Sequence, residues 1–282
     1  MFTNKQYIQD VRRLNPSSRY DSEAAIRHAC KTAYLGDHTV LCRILARYKM
    51  FVDTRDVGLA THLMLEGYWE MWVTEAIISL MREGMVAADI GANLGYFTLL
   101  MADLAGPSGR VHAFEPNPRL AELLDKSVSL NGFASRVDVH QLALSAKNEG
   151  MVTLIVPAGE PKNGYLADVG DHLPENGQYV PVARLDGRQE WADIEFAKID
   201  VEGAEELVWA GMQGLLDNGR LKTVILEFTP GRYENPANFL EALLAPGFSL
   251  ARIDYTRGIV ETSATDVLAG DPYEDVMLVL RR

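Results

Sequence analysis

The sequence is short of the residues that would mark a secreted, zinc-binding or membrane-spanning protein. Its 282 residues hold two cysteines, Cys30 and Cys42, too few for a disulfide framework and not in Cys-x-x-Cys spacing. A reducing, cytoplasmic setting is the resulting expectation. The six histidines never fall into His-x-His or His-x-x-x-His spacing, so no zinc signature is present. There is no run of about 18 apolar residues, and the polar start MFTNKQYIQDVRRLN lacks a signal peptide's apolar core. Positive charge is also in deficit, with 27 Lys and Arg against 39 Asp and Glu and a formal net charge of -12. Such a surface repels phosphate backbones, which argues against nucleic acid and anionic membranes as partners. Arg12, Arg13, Arg43, Arg47 and Lys49 read as solvated helix faces and not as a basic patch.

What is present is a composition that can bury a core, 48% apolar, in a chain long enough for an α/β domain with an extension. Residues 1–82 read as a helical cap. The stretches SEAAIRHACKTAYL, HTVLCRILARYKM and LATHLMLEGYWEMWVTEAIISLMREG place apolar residues three and four apart. Gly84 ends that pattern, and residues 83–282 alternate short apolar runs with helical ones. MVAADI, RVHAFE, RVDVHQLAL, FAKIDV and KTVILEF are strand candidates, separated by helix candidates such as GYFTLLMADLA and PNPRLAELLDKSVSLNG. This alternation predicts an α/β fold, a mostly parallel sheet with helices on both faces. Asn117-Pro118 has the chemistry of a helix start and Asn131-Gly132 that of its end. MVTLIVP and YVPVARLD read as strands around a long polar loop, in which Asn163, Tyr165 and His172 are candidate acceptor contacts. FSLARIDYTRG and YEDVMLVLRR read as a terminal antiparallel pair.

The run Ala88-Asp89-Ile90-Gly91-Ala92-Asn93-Leu94-Gly95 is a strand, a glycine turn and a helix start. Such a turn brings backbone N–H groups and a helix dipole toward a ligand. A dinucleotide fingerprint requires Gly-x-Gly-x-x-Gly, but Asn93 holds the second glycine's place and the third is missing. Asp89 at the strand end would repel a diphosphate and attract a sulfonium or ammonium group. Glu115, ending the next strand, suits a ribose diol. Gln141 and Ala143, at the end of the third strand, are placed to border an adenine.

The runs DIGANLGYFT, AFEPNP and Lys198-Ile199-Asp200-Val201-Glu202-Gly203-Ala204-Glu205, with Gly67-Tyr68-Trp69-Glu70 and Leu185-Asp186, resemble the FkbM family of S-adenosylmethionine-dependent methyltransferases. The resemblance covers roughly residues 52 to 230. It implies a Rossmann-like class I methyltransferase fold with a seven-stranded sheet whose last strand runs antiparallel. It also places Asp89, Gly91, Asn93, Gly95 and Glu115 at S-adenosylmethionine, with Tyr96, Thr98 and Glu70 at the methionine end.

Asp200, Glu202 and Glu227 fall at or just beyond strand ends, where ligands of open α/β sheets bind. They read as groups that hold an acceptor and take its proton, as ligands for Mg²⁺, or as helix caps. No metal site is assigned from them. The resulting expectation is O-methylation of a small-molecule, sugar or carrier-bound acceptor. The rivals are a nicotinamide-dependent oxidoreductase and a cofactor-binding but inactive scaffold.

Overall fold

The computed structural model describes residues 10–157, 164–167 and 173–282. The N-terminal extension begins with helix α1 (Arg19–Ala29) and ends with α2 (Leu59–Leu65) and α3 (Met71–Leu80). Between them the expected all-helical cap is interrupted by three strands, β1 (Thr32–Gly36), β2 (Thr39–Ile44) and β3 (Tyr48–Asp53), paired as an antiparallel meander. HTVLCRILARYKM is therefore a hairpin and not a helix. Its apolar residues satisfy both periods, and the alternation prevails: Val40, Cys42, Ile44, Tyr48, Met50 and Val52 are buried, while Arg43 and Lys49 between them are exposed and Leu41 and Phe51 half-buried. Leu45 and Ala46, with φ of 49° and 54°, make the turn that a helical reading cannot contain.

The second part alternates as expected. Strand β4 (Val86–Ile90) leads to α4 (Tyr96–Ala105), β5 (Arg110–Phe114) to α5 (Pro118–Leu130), and then come β6 (Val137–His140) and β7 (Ala143–Leu144). A three-strand excursion follows, β8 (Met151–Ile155), β9 (Tyr165–Ala167) and β10 (Gly177–Ala183), which with β7 forms a small separate sheet. Strand β11 (Phe196–Ile199) then precedes α6 (Glu205–Ala210), α7 (Gln213–Asp217), β12 (Thr223–Phe228) and α8 (Pro236–Leu244). The chain closes with β13 (Ser249–Asp254), β14 (Gly258–Glu261), α9 (Ala264–Leu268) and β15 (Val276–Arg281).

The main sheet has the order β14-β13-β15-β12-β11-β4-β5-β6. Strand β15 runs antiparallel to both of its neighbours, and the strands from β12 to β6 are parallel. This is the Rossmann-like class I methyltransferase arrangement, with eight strands where seven were expected. The additional strand is β14, which folds back as a hairpin on β13 at the edge. The chain leaves β4 for β5 on one side and meets β11 on the other, so the crevice at this reversal lies above the carboxyl ends of β4 and β11.

Alternate residues of each strand serve the two faces. Ala87, Val111 and Ile225 join one apolar cluster, and Ala88, Phe114, Ile199 and Leu226 the other. The extension has no core of its own, because Ile26, Val40, Met50 and Leu63 belong to the same cluster as Leu99 and Val111. A buried ion pair joins two of its helices, and its arginine also reaches the sheet edge. Arg19 and Glu75, 7% and 4% exposed, are joined through two guanidinium nitrogens, and Arg19 further donates to the Tyr255 carbonyl between β13 and β14. Arg19→Met would leave Glu75 buried without a counter-ion and is expected to cost about 3–5 kcal/mol. The double variant Arg19→Met/Glu75→Leu is expected to recover most of that loss in urea denaturation; equal losses in the two would refute the account.

Candidate functional site

A cavity of about 390 Å³ opens above the carboxyl ends of β4, β5, β11 and β12. Its floor depends on a close approach of two strands. Gly91, just past β4, has φ of 77°, and a Cβ there would lie 1.8 Å from the Asp200 carbonyl oxygen at the end of β11. Only glycine fits. Gly95 is likewise constrained at the start of α4, where a Cβ would meet the Leu124 side chain at 2.1 Å. The N–H groups of Gly91 and Ala92 both donate to the Phe114 carbonyl at 3.0 Å, and that of Asn93 donates to Glu115 at 2.8 Å. The turn's first three N–H groups are therefore occupied by the protein itself, against the expectation that they would face a ligand.

Asp89 also differs from its expected place. It is 1% exposed, lies behind the wall instead of on it, and accepts a 2.5 Å hydrogen bond from the Thr98 hydroxyl. Thr98 thus orients Asp89 and does not line the cavity. The second Asp89 oxygen, Oδ1, has no hydrogen-bond partner. Lys198, paired in register with Asp89 across β4 and β11, is 2% exposed and lines the cavity. Its ammonium donates to Asp200 at 2.8 Å and lies 4.8 Å from the Phe97 ring centre. Burial alone would lower its pKa, but the charges of Asp200 and Asp89 more than offset this and raise it. For Asp89 burial prevails over Lys198 and Thr98, and its carboxyl is raised from the ordinary value.

Glu115 accepts from the backbone N–H groups of Asn93 and Asn117, each at 2.8 Å. Burial pushes its carboxyl up to about 7 despite those bonds. It lines the cavity and also a small apolar slot formed by Phe114, Leu142, Ala143, Leu166 and Val201. Ala143 lines that slot, whereas Gln141 is exposed and lines neither space. The strand turns between them, and Leu142 takes the place given to Gln141. From the extension, Leu59, Trp69 and Glu70 complete the wall beside Asn93 and Tyr96. The Tyr96 hydroxyl is 3.2 Å from that of Thr74 on α3.

Asp200, Glu202 and Glu227 do converge on the cavity. Between them lies Arg232, to which no role was assigned from the sequence. Its guanidinium is 3.0 Å from Glu202, 2.8 Å from Glu227 and 3.7 Å from Asp275. Glu227 is pushed up to about 9 by burial and by the neighbouring charges of Asp200, Glu202 and Asp275, with Arg232 opposing. Among the described residues no group of three or more His, Cys, Asp or Glu side chains is arranged to hold a metal ion. Arg232 takes the position among the carboxylates that Mg²⁺ would require, so these residues do not fit that ion. No helix is long and apolar enough to cross a membrane among the described residues. Tyr165 lies in a neighbouring groove, while Asn163 and His172 fall outside the described residues. Lys198 had one sequence signal, a lysine inside the apolar strand FAKIDV. Arg232 and Asp275 had none.

A family model for the methyltransferase FkbM domain matches residues 89–250. The chain is 32% identical over 181 residues to 31-O-demethyl-FK506 methyltransferase FkbM of Streptomyces tacrolimicus, covering 52% of this chain and 66% of that one. It is 30% identical over 196 residues to methyltransferase sdnD of Sordaria araneosa, covering 68% and 62%. Against the crystal structure of a methyltransferase FkbM from Methylobacillus flagellatus KT the TM-score is 0.46 at 16% identity, over 72% of this chain and 45% of that one. The chain thus spans just under two thirds of the length of the two curated relatives.

The raised carboxyl of Glu227 gives a prediction for stability. A buried acid whose pKa moves from 4.5 to about 9 holds its proton more tightly folded than unfolded. Its contribution to stability therefore falls as pH rises through that window. Glu227→Gln is expected to raise the melting temperature at pH 8, by about 2–4 °C for each 1 kcal/mol recovered in a domain of this size. At pH 5 the gain should be much smaller. An equal gain at both pH values in calorimetric scans would contradict the burial of this charge.

Proposed function

Because the chain belongs to the methyltransferase FkbM family, we propose that it binds S-adenosylmethionine in the cavity over β4 and β11 and methylates a hydroxyl of a small-molecule acceptor. The observation that carries this reading is the cavity's charge. Six carboxylates line it (Glu70, Glu115, Asp200, Glu202, Glu227 and Asp275) against the two cations Lys198 and Arg232. Such a site favours a cationic cofactor over a diphosphate, and nothing favours the nicotinamide or inactive-scaffold readings. The orphaned Oδ1 of Asp89 directly behind the wall adds to the attraction.

In this reading Glu115 holds the ribose diol and the slot of Phe114, Leu142, Ala143 and Val201 takes the adenine. Glu70, Asn93 and Tyr96 surround the methionine end, while Gly91 and Gly95 shape the turn beneath it. When bound, S-adenosylmethionine supplies an electrophilic methyl: the acceptor oxygen bonds to that carbon as the sulfur–carbon bond breaks, and sulfur keeps the electron pair. The protein's task is to align the acceptor oxygen, exclude water and remove the hydroxyl proton. Asp200 is held by Lys198, and Glu202 and Glu227 share Arg232; the raised carboxyl of Glu227 makes it the group best suited to accept that proton. Its pKa lies above neutrality in the acidic cavity, and a bound positive charge would draw it down toward the range of an effective base. Lys198 and Arg232 offset part of the repulsion among the carboxylates.

The Streptomyces tacrolimicus relative is named for an O-demethyl compound, which supports oxygen as the methylated atom here. The net charge of -12 favours a small acceptor over a nucleic acid, and two free cysteines suit a cytoplasmic location. Calorimetry is expected to detect S-adenosylhomocysteine and not NAD. Glu115→Ala should weaken that binding by about 10- to 150-fold, the equivalent of about 1.5–3 kcal/mol for hydrogen bonds to a charged group. Binding of NAD alone would overturn the reading.

A further inference from the structure

Beside the main cavity lies a groove of about 410 Å³. Its outer walls are apolar. Tyr165 and Leu166 of β9 form one side, and Ala204 and Leu207 at the start of α6 form the other. Tyr165 and Leu207 are 46% and 49% exposed and face a common space. The groove's inner end is the opposite. Glu202 and Arg232 line both the groove and the main cavity, so their 3.0 Å ion pair is the partition between the two. Behind it stand Glu227 and Asp275, leaving three carboxylates around one guanidinium. Leu166 also lines the apolar slot next to Glu115, so β9 is a wall common to the groove and to the slot assigned to adenine.

We propose that this groove binds the methyl acceptor, and that the acceptor is an uncharged hydroxyl compound with an apolar body. The proposal rests on the methyltransferase reading for the word acceptor, but the groove's preference for such a ligand stands on its own walls. The apolar body covers Tyr165, Leu166 and Leu207, removing their surface from water. Its hydroxyl end reaches the Glu202–Arg232 partition, where carboxylate oxygens accept hydrogen bonds and Glu227 lies just beyond. A sulfate, phosphate or carboxylate on that end would face the surplus of negative charge and be rejected. A bare sugar would leave the apolar walls uncovered. The groove thus separates acceptors by two independent criteria, apolar area at its mouth and charge at its inner end.

Three probes test this on the intact protein in the presence of S-adenosylhomocysteine, all below micelle-forming concentrations: octyl glucoside, octyl sulfate and glucose. By titration calorimetry, octyl glucoside is expected to bind at least tenfold more tightly than either of the others. Leu207→Asp, a change at a half-exposed position, is expected to lose at least tenfold of that affinity and Leu207→Met to retain it. S-adenosylhomocysteine should bind all three proteins equally. Octyl sulfate binding as tightly as octyl glucoside, or undiminished glucoside binding by Leu207→Asp, overturns the proposal. Absence of S-adenosylhomocysteine binding would instead sink the methyltransferase reading, and the glucoside comparison would still decide the groove.

Discussion

The ammonium of Lys198, enclosed between the carboxylates of Asp89 and Asp200, is the interaction on which the site depends. A buried lysine without counter-ions would lose its proton. The carboxylates of Asp200 and Asp89 hold the Lys198 ammonium in its charged form where β4 and β11 part and the crevice opens. Gly91 then carries the chain past the Asp200 carbonyl at a distance no side chain tolerates. Charge pairing and close packing therefore fix the same point from two sides. The Glu115 carboxylate is set from there, because the turn's N–H groups reach it and the end of β5.

The remaining carboxylates are not balanced in this way. Glu115 and Glu227 both have raised pKa values because burial and like charges oppose their ionisation. A cation bound in the cavity would accordingly displace protons from them. Such a site gives up stability in the free protein, and a ligand of the right sign restores it. Arg232 limits the cost by neutralising part of the charge of Glu202, Glu227 and Asp275.

The parts of this arrangement that were legible in the sequence are those where the backbone restricts residue type. Gly91 and Gly95 announce the turn because no other residue fits, and Asn117-Pro118 announces α5 because its side chain caps the first turn, accepting from the Arg119 N–H. The strand-end acids Asp200, Glu202 and Glu227 followed from the position rule for parallel sheets. Side-chain direction was not legible. Asp89 ends the correct strand but turns toward Thr98, and Gln141 precedes the slot but points to solvent. Arg232 reaches the cavity from a short turn after β12, and such a placement leaves no periodic signature. The β1–β3 hairpins were missed because a short apolar run fits two periods, and tertiary burial decides between them.

The boundary near residue 82 is a change of sequence pattern, and residues from both sides of it line the cavity. Leu59, Trp69 and Glu70 come from the extension, yet they face Asn93, Tyr96 and Glu115 across the cavity. Glu70 precedes α3 with φ of 37°, a left-handed conformation that costs a non-glycine residue energy and persists only where surroundings impose it. Those surroundings are the cavity wall and α3, whose Thr74 meets Tyr96 and whose Glu75 is tied to Arg19. The Arg19–Glu75 pair ties α1 to α3, the helix that Glu70 precedes, and Arg19 donates in turn to the Tyr255 carbonyl at the sheet edge. The contacts that seat the extension therefore also shape the cavity wall.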